Sequence, residues 1–244
     1  LRVAAFEAVS ALIQNAAPDC KHLLKELLPA IITRLHTSFS IATLTGEDKE
    51  HLEGVQGLLC GLIQVLVIEL DIECVGPHAD AAMQNLLQVL QLKNATCHEE
   101  AFSATSALCD RLEGDFIKYM DVLMPFLEMG LKNFQAFHVC SIAVGLVGDI
   151  ARSIEKGISP HCNTIMTALV QSLQNPALHR SVKPPVLSCF GDIAMALEAG
   201  FEPYLNVSLM MLMQASQTQV PEDDEDLIYF VNQLREAVLE AYTG

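Results

Sequence analysis

The sequence has no tryptophan, and only 14 of its 244 residues are Lys or Arg. Against 30 Asp and Glu this leaves a formal net charge of -16. The shortage of cations argues against a general nucleic-acid binder, because phosphate affinity comes from Lys and Arg gathered on one face. Long apolar runs are also missing. The longest, 57–69, is interrupted by Gln64 and falls short of the ~20 residues of a bilayer span, so no membrane insertion is expected. The eight cysteines (20, 60, 74, 97, 109, 140, 162, 189) include no Cys-x-x-Cys pair, which argues against a zinc or redox centre. They read as reduced core residues of a cytosolic or nuclear protein. Position 1 is Leu and no charged-then-apolar leader follows, so the expectation is a chain without a signal peptide, cut from something longer. Disorder is excluded, since 51% of the residues are hydrophobic.

Strand alternation is scarce as well, and helical periodicity takes its place. Met83, Leu86, Leu87 and Leu90 fall at the i, i+3, i+4, i+7 steps of an amphipathic helix. Turn residues recur at 17–19, 45–47, 75–77, 113–115, 156–157, 175–176, 199–200 and 220–221, and the segments between them are one helix long, about eleven in all. Self-similarity groups these helices. Gly148-Asp149-Ile150-Ala151 returns 43 residues later as Gly191-Asp192-Ile193-Ala194, and Phe116-x-x-Tyr119 returns 85 residues later as Phe201-x-x-Tyr204. Ala5-Phe6-x-Ala8-x-Ser10-Ala11-Leu12 matches Ala101-Phe102-x-Ala104-x-Ser106-Ala107-Leu108. A period near 43 with two helices per unit predicts an all-α superhelix, a HEAT or armadillo-like solenoid of five to six repeats. Outer (A) helices are expected near 20–41, 77–93, 115–132, 158–174 and 201–218. Inner (B) helices are expected near 1–16, 48–71, 97–112, 134–155, 179–198 and 223–242. The chain is then one solenoid whose repeats run 1–16 (a half), 20–71, 77–112, 115–155, 158–198 and 201–242.

Several runs carry a family resemblance. Glu113-Gly-Asp-Phe-Ile-Lys-Tyr-Met120, Gly130-Leu-Lys-Asn133, Val144-Gly-Leu-Val-Gly-Asp149, His179-Arg-Ser-Val-Lys-Pro184, Phe190-Gly-Asp-Ile-Ala194 and Leu239-Glu-Ala-Tyr-Thr-Gly244 resemble the importin-β (karyopherin-β) family of nuclear import receptors, in its central to C-terminal HEAT repeats. The likeness is dense over 101–244, thinner before, and poorest over 37–57. It implies a carrier that shuttles between cytoplasm and nucleus through the nuclear pore, with no catalytic residue, no cofactor and no metal. It implies three partners: the basic N-terminal segment of importin-α on the concave face, Phe-Gly nucleoporin repeats in convex A-helix grooves, and, in a full-length receptor, Ran-GTP as the release signal. The same architecture also serves structural HEAT scaffolds of the phosphatase or assembly-factor type, which is the alternative reading.

The residues point to candidates for the first two surfaces. Asp149, Asp192, Asp226, Glu236 and Glu240 lie on expected B helices, where carboxylates would meet a basic segment. The A stretches 115–132 and 201–218 hold more large apolar residues than one buried stripe uses, so some must line outer grooves. Leu127, Phe201 and Leu209 are the candidates for a Phe-Gly site. Cys97-His98 and His161-Cys162 lack an orienting third group and read as capping or core positions. Gly145-Leu-Val-Gly148 lacks the Lys-Ser/Thr ending of a phosphate loop and reads as a site of close helix packing. Pro184-Pro185 predicts a kink or a late helix start.

Overall fold

The computed structural model describes residues 2–17, 20–43, 45–93, 96–219 and 224–243, and of Arg2 and Val3 only the backbone. Among these residues there is no strand, and eleven helices have twelve residues or more. With the single turn α4 (Ile72–Val75) added, the α-helices in order are α1 (Arg2–Gln14), α2 (Lys21–Ser38), α3 (Gly46–Glu69), α4, α5 (Ala79–Leu90), α6 (His98–Leu112), α7 (Met120–Leu131), α8 (Phe137–Ile154), α9 (Ser159–Gln174), α10 (Lys183–Leu197), α11 (Glu202–Ser216) and α12 (Glu225–Ala241). The A and B segments expected from the sequence map onto these helices with shifts of a few residues at their ends. The largest shift is at 115–132: Glu113–Tyr119 forms a 3-10 segment, and the α-helix begins at Met120. The turns expected at 17–19 and 220–221 fall mostly outside the described residues.

Local chemistry sets the helix ends. Thr45 accepts from the Asp48 amide while Asp48 accepts from the Thr45 amide, a reciprocal cap that starts α3 at Gly46, inside the stretch of poorest family likeness. Asp224 accepts from the Leu227 amide at 2.9 Å and starts α12. Pro184-Pro185 falls in the first turn of α10, where the missing amide costs nothing, so the outcome there is a late start.

The chain divides into two compact units, Leu1–Tyr119 and Met120–Gly244. In the first, the main interface joins the B helices α3 and α6. Leu59, Ile63, Leu66 and Val67 of α3 are at most 2% exposed, and Ala101, Ala104 and Thr105 keep the facing side of α6 small. Asn85 ties the A helices α2 and α5 by donating to the Ile32 carbonyl at 3.2 Å and pairing with His36 Nδ1 at 3.1 Å. Arg111 of α6 caps α3, donating to the carbonyls of Val67 (3.1 Å) and Ile68 (2.6 Å).

In the second unit the B helices α8, α10 and α12 pack in sequence. Their core includes Val144, Ile150, Leu187, Phe190, Ile193 and Val231, each at most 1% exposed, and a side chain of this size contributes about 1.5–3 kcal/mol when buried. The Gly-Asp-Ile-Ala echo has a physical cause here. A Cβ on Gly191 would lie 2.9 Å from Ala241 Cα, so the glycine lets α12 approach α10. A Cβ on Gly148 would lie 2.7 Å from Asp192 Oδ2. The Asp of each copy then binds one arginine, Arg152, which pairs with Asp149 on its own helix and with Asp192 on α10 at 2.8 Å.

The repeat is also written in the backbone. The B helices α6, α8 and α10 each end on a glutamate with positive φ: Glu113 (47°), Glu155 (46°) and Glu198 (51°). Each is followed three residues on by a buried apolar side chain, Phe116, Ile158 or Phe201. Turn glycines were expected at Gly114, Gly157 and Gly200. No described glycine has positive φ, so the strained conformation belongs to the preceding acid.

By length and composition alone, Gly46–Glu69 and the stretch Phe137–Gln174, which α8 and α9 share, are long enough and apolar enough to cross a bilayer, a test that the core helices of a folded protein also meet. Of their apolar windows 50% and 56% are buried inside the protein, as in core helices.

Candidate binding surfaces

The apolar candidates separate. Leu127 is 0% exposed, on the buried face of α7, so it offers a docking side chain no surface, and it is corrected to a core position. The outward apolar residues of α7 are Val122 (52%) and Met129 (41%). Phe201 and Leu209 do meet, in a cavity of about 420 Å³ between α10, α11 and the end of α12. Phe201 is 6% exposed, with its ring tilted at 51° to that of Tyr204 and the centroids 5.9 Å apart, so it forms the floor. Leu209 is half-buried at the wall. Leu205 (45% exposed) and Tyr242 (51%) complete the accessible rim; neither was among the sequence candidates, although Tyr242 lies in one of the family-like runs. A second cavity of about 420 Å³ opens on another side of α11, lined by Leu173 of α9, Met211, and Phe230 and Leu234 of α12. α11 is therefore apolar around its circumference because it borders two cavities, and Met210 and Met213 are more than half exposed.

The acidic candidates separate as well. Asp149 and Asp192 sit side by side, but Arg152 draws both into one ion pair, and their side chains keep 18% and 17% of their surface. Much of the charge offered to a partner is thus neutralised within the protein. Asp226 is exposed in the first turn of α12, where the helix dipole favours it. Glu236 is exposed, and Glu240 accepts from Ser188 Oγ at 3.0 Å.

A third surface was not among the candidates. In the first unit, α1, α3 and α6 enclose a cavity of about 580 Å³. Glu7, Glu50 and Glu100 line it, with no Lys or Arg among the described lining residues. Glu100 Oε2 is shut off from solvent without a hydrogen-bond partner, and burial raises its carboxyl above the ordinary range.

The Cys-His pairs take structural positions. His98 Nε2 lies 2.9 Å from the Leu92 carbonyl, and burial pushes the Cys97 thiol up to about 12. Burial likewise raises Cys162 to about 11. A thiol so raised is protonated at neutral pH and is a poor nucleophile. None of the eight cysteines forms a disulfide, and six are buried.

Helical hairpins packed B helix against B helix within each unit define the class of HEAT-type helical solenoids. The profile of the family described as "Importin subunit beta-1-like, TPR repeats" matches residues 1–244, and the chain belongs to that family. Importin subunit beta-1 of Arabidopsis thaliana is 38% identical over 250 residues, and that of Schizosaccharomyces pombe 36% over 248; each alignment covers 100% of this chain and 29% of the relative. The chain thus spans under a third of the length of the curated relatives it matches. A crystal structure of importin beta superposes with TM-score 0.91 at 36% identity, covering 99% of this chain and 28% of that one. A Kap95:Nup1 complex superposes with TM-score 0.86, and a Kap95p structure concerned with RanGDP with 0.85, both at 29% identity and with the same 99% and 28% coverage.

Proposed function

We propose that this chain is a segment of a nuclear import receptor, a carrier with no reaction centre, moving between cytoplasm and nucleus through the pore. The observation that carries this reading is the α11 cavity, where Phe201, Leu205 and Leu209 form an apolar socket with one exposed wall. It has the size and lining to receive a phenylalanine side chain, and burying one would contribute about 1.5–3 kcal/mol, weak enough for rapid exchange. The neighbouring Kap95:Nup1 complex supports a nucleoporin as the source of that side chain. The acidic B helices receive the basic segment of importin-α, and Ran-GTP acts as the release signal in a full-length receptor. Family membership favours this reading over a structural scaffold.

A Phe-Gly peptide titrated by fluorescence anisotropy tests the socket. Leu205→Arg should weaken binding by about tenfold or more while circular dichroism stays unchanged, because Leu205 is 45% exposed. Phe201 is a worse probe, since arginine at a 6% exposed position would disturb folding itself. Equal binding by Leu205→Arg and the parent would remove the α11 cavity as the site.

A further inference from the structure

Acid is spread unevenly along this chain. From Met129 to Gly191 only Asp149 and Glu155 carry a carboxylate, against Lys132, Arg152, Lys156, Arg180 and Lys183. Arg152 already neutralises Asp149. The stretch contains two A-to-B connections of the second unit, between α7 and α8 and between α9 and α10. These connections meet through aromatic rings. Phe137, at the start of α8, stacks on His179 of the α9–α10 connection, with centroids 4.2 Å apart and planes at 26°. His138 lies against the same phenylalanine, with centroids 3.8 Å apart. Both imidazoles are exposed, and Phe137 is half-buried.

The edge they form is held in shape by its own hydrogen bonds. The Leu131 carbonyl accepts from Ser172 Oγ at 3.2 Å and from Cys140 Sγ at 3.4 Å, which ties the end of α7 to α9 and α8. Asn133 Oδ1 accepts from the Ala136 amide at 3.1 Å, and Asn175 Oδ1 from the Ala177 amide at 2.9 Å. His179 Nδ1 lies 2.7 Å from Ser181 Oγ. A surface ordered in this way loses little conformational entropy on binding. Its cations are available. Arg180 is exposed and Lys183 half-buried, and neither forms an ion pair or a side-chain hydrogen bond with a described residue. Lys132 is engaged by Glu128 at 2.6 Å and contributes less. The next A-to-B connection ends on Asp224, Glu225 and Asp226, so the basic stretch stops there. A net charge of -16 does not cancel the edge, because at physiological ionic strength charges more than ~8 Å away are largely screened.

We propose that this edge docks an acidic segment of a partner protein, with Asp or Glu side chains on Arg180 and Lys183 and an apolar side chain against the rings of His138, Phe137 and His179. Arginine suits the role, since its fork meets a carboxylate with two charge-assisted hydrogen bonds. A protein segment fits better than a nucleic acid, whose closely spaced phosphates call for more cations than this edge holds. The site goes beyond the proposed function: its partner has the charge opposite to that of the importin-α segment, and it shares no residue with the Phe201 cavity.

Fluorescence anisotropy tests it with a labelled acidic peptide of Asp, Glu and Phe, a basic peptide with Arg for each acid, and a single-stranded oligonucleotide of the same charge as the acidic peptide. The acidic peptide should bind the parent protein. Arg180→Gln combined with Lys183→Gln should lower that affinity by about tenfold or more, with circular dichroism unchanged and binding of the basic peptide no weaker. Lys25→Gln combined with Lys93→Gln, at exposed positions of the first unit, removes the same amount of charge and should leave the affinity as it was. Equal losses in the two pairs, a parent protein that ignores the acidic peptide, or an oligonucleotide bound more tightly than that peptide would each overturn the proposal.

Discussion

Glu155 holds φ at 46° without the conformational freedom of glycine, and such a residue costs on the order of 1–3 kcal/mol. Glu155→Gly should raise stability by about 1 kcal/mol, the relieved strain exceeding the extra entropy of the unfolded chain; urea denaturation would measure it, and a loss would place the strain elsewhere. Glu100 makes the opposite argument. Its folded-state carboxyl is raised mainly by burial, so the folded protein binds the proton more tightly than the unfolded one. The resulting contribution is fully present below the unfolded value near 4.5 and is lost as pH rises through the folded value. Glu100→Gln should therefore be more stable than the parent at pH 7, with the gap closing as pH falls toward about 4.5; thermal melts across that range decide it. Much of this scale was invisible in the sequence. Leu127 and Val122 are both apolar residues of α7, but composition alone could not tell the buried one from the one 52% exposed. The pairing of Asp149 and Asp192 depends on Arg152, whose bond to α10 spans forty positions of chain.

The helices were far more legible, because periodicity and turn residues are local signals. α8 was expected over 134–155 and spans Phe137–Ile154; α9 was expected over 158–174 and spans Ser159–Gln174. The echoes also had meaning at this scale: glycine for close approach, aspartate for the arginine bridge. That bridge joins two successive B helices, so it governs how firmly α8 holds α10. Arg152→Met should lower stability by about 1–2 kcal/mol, a figure already reduced because the arginine side chain is 53% exposed. Adding Asp192→Asn should recover part of the loss, since one carboxylate near the bridge is then gone. Additive losses in calorimetry would show that the two groups do not interact. What the turn glycines concealed was the residue in the strained conformation, since Gly114, Gly157 and Gly200 lie one or two places past it.

For the molecule as a whole, an excess of acid over base is the property most directly read from the sequence and most directly tied to recognition. A charge of -16 should make binding of any basic segment weaken steeply with salt, as released counterions return. Titration of the basic peptide at rising ionic strength should show that slope, and a flat response would assign the affinity to apolar contact alone. Phe-Gly binding in the α11 socket should by contrast hold steady or strengthen with a salting-out salt. The two surfaces can thus be separated without any mutation.

The glutamates that end α8 and α10 recur within one unit, 43 residues apart. Each marks a corner where the chain is already bent against its preference, so pulling on the ends relaxes the corners before it unzips the hairpins. Extension of this unit would then come in discrete increments, one corner at a time, with the core between the corners left intact.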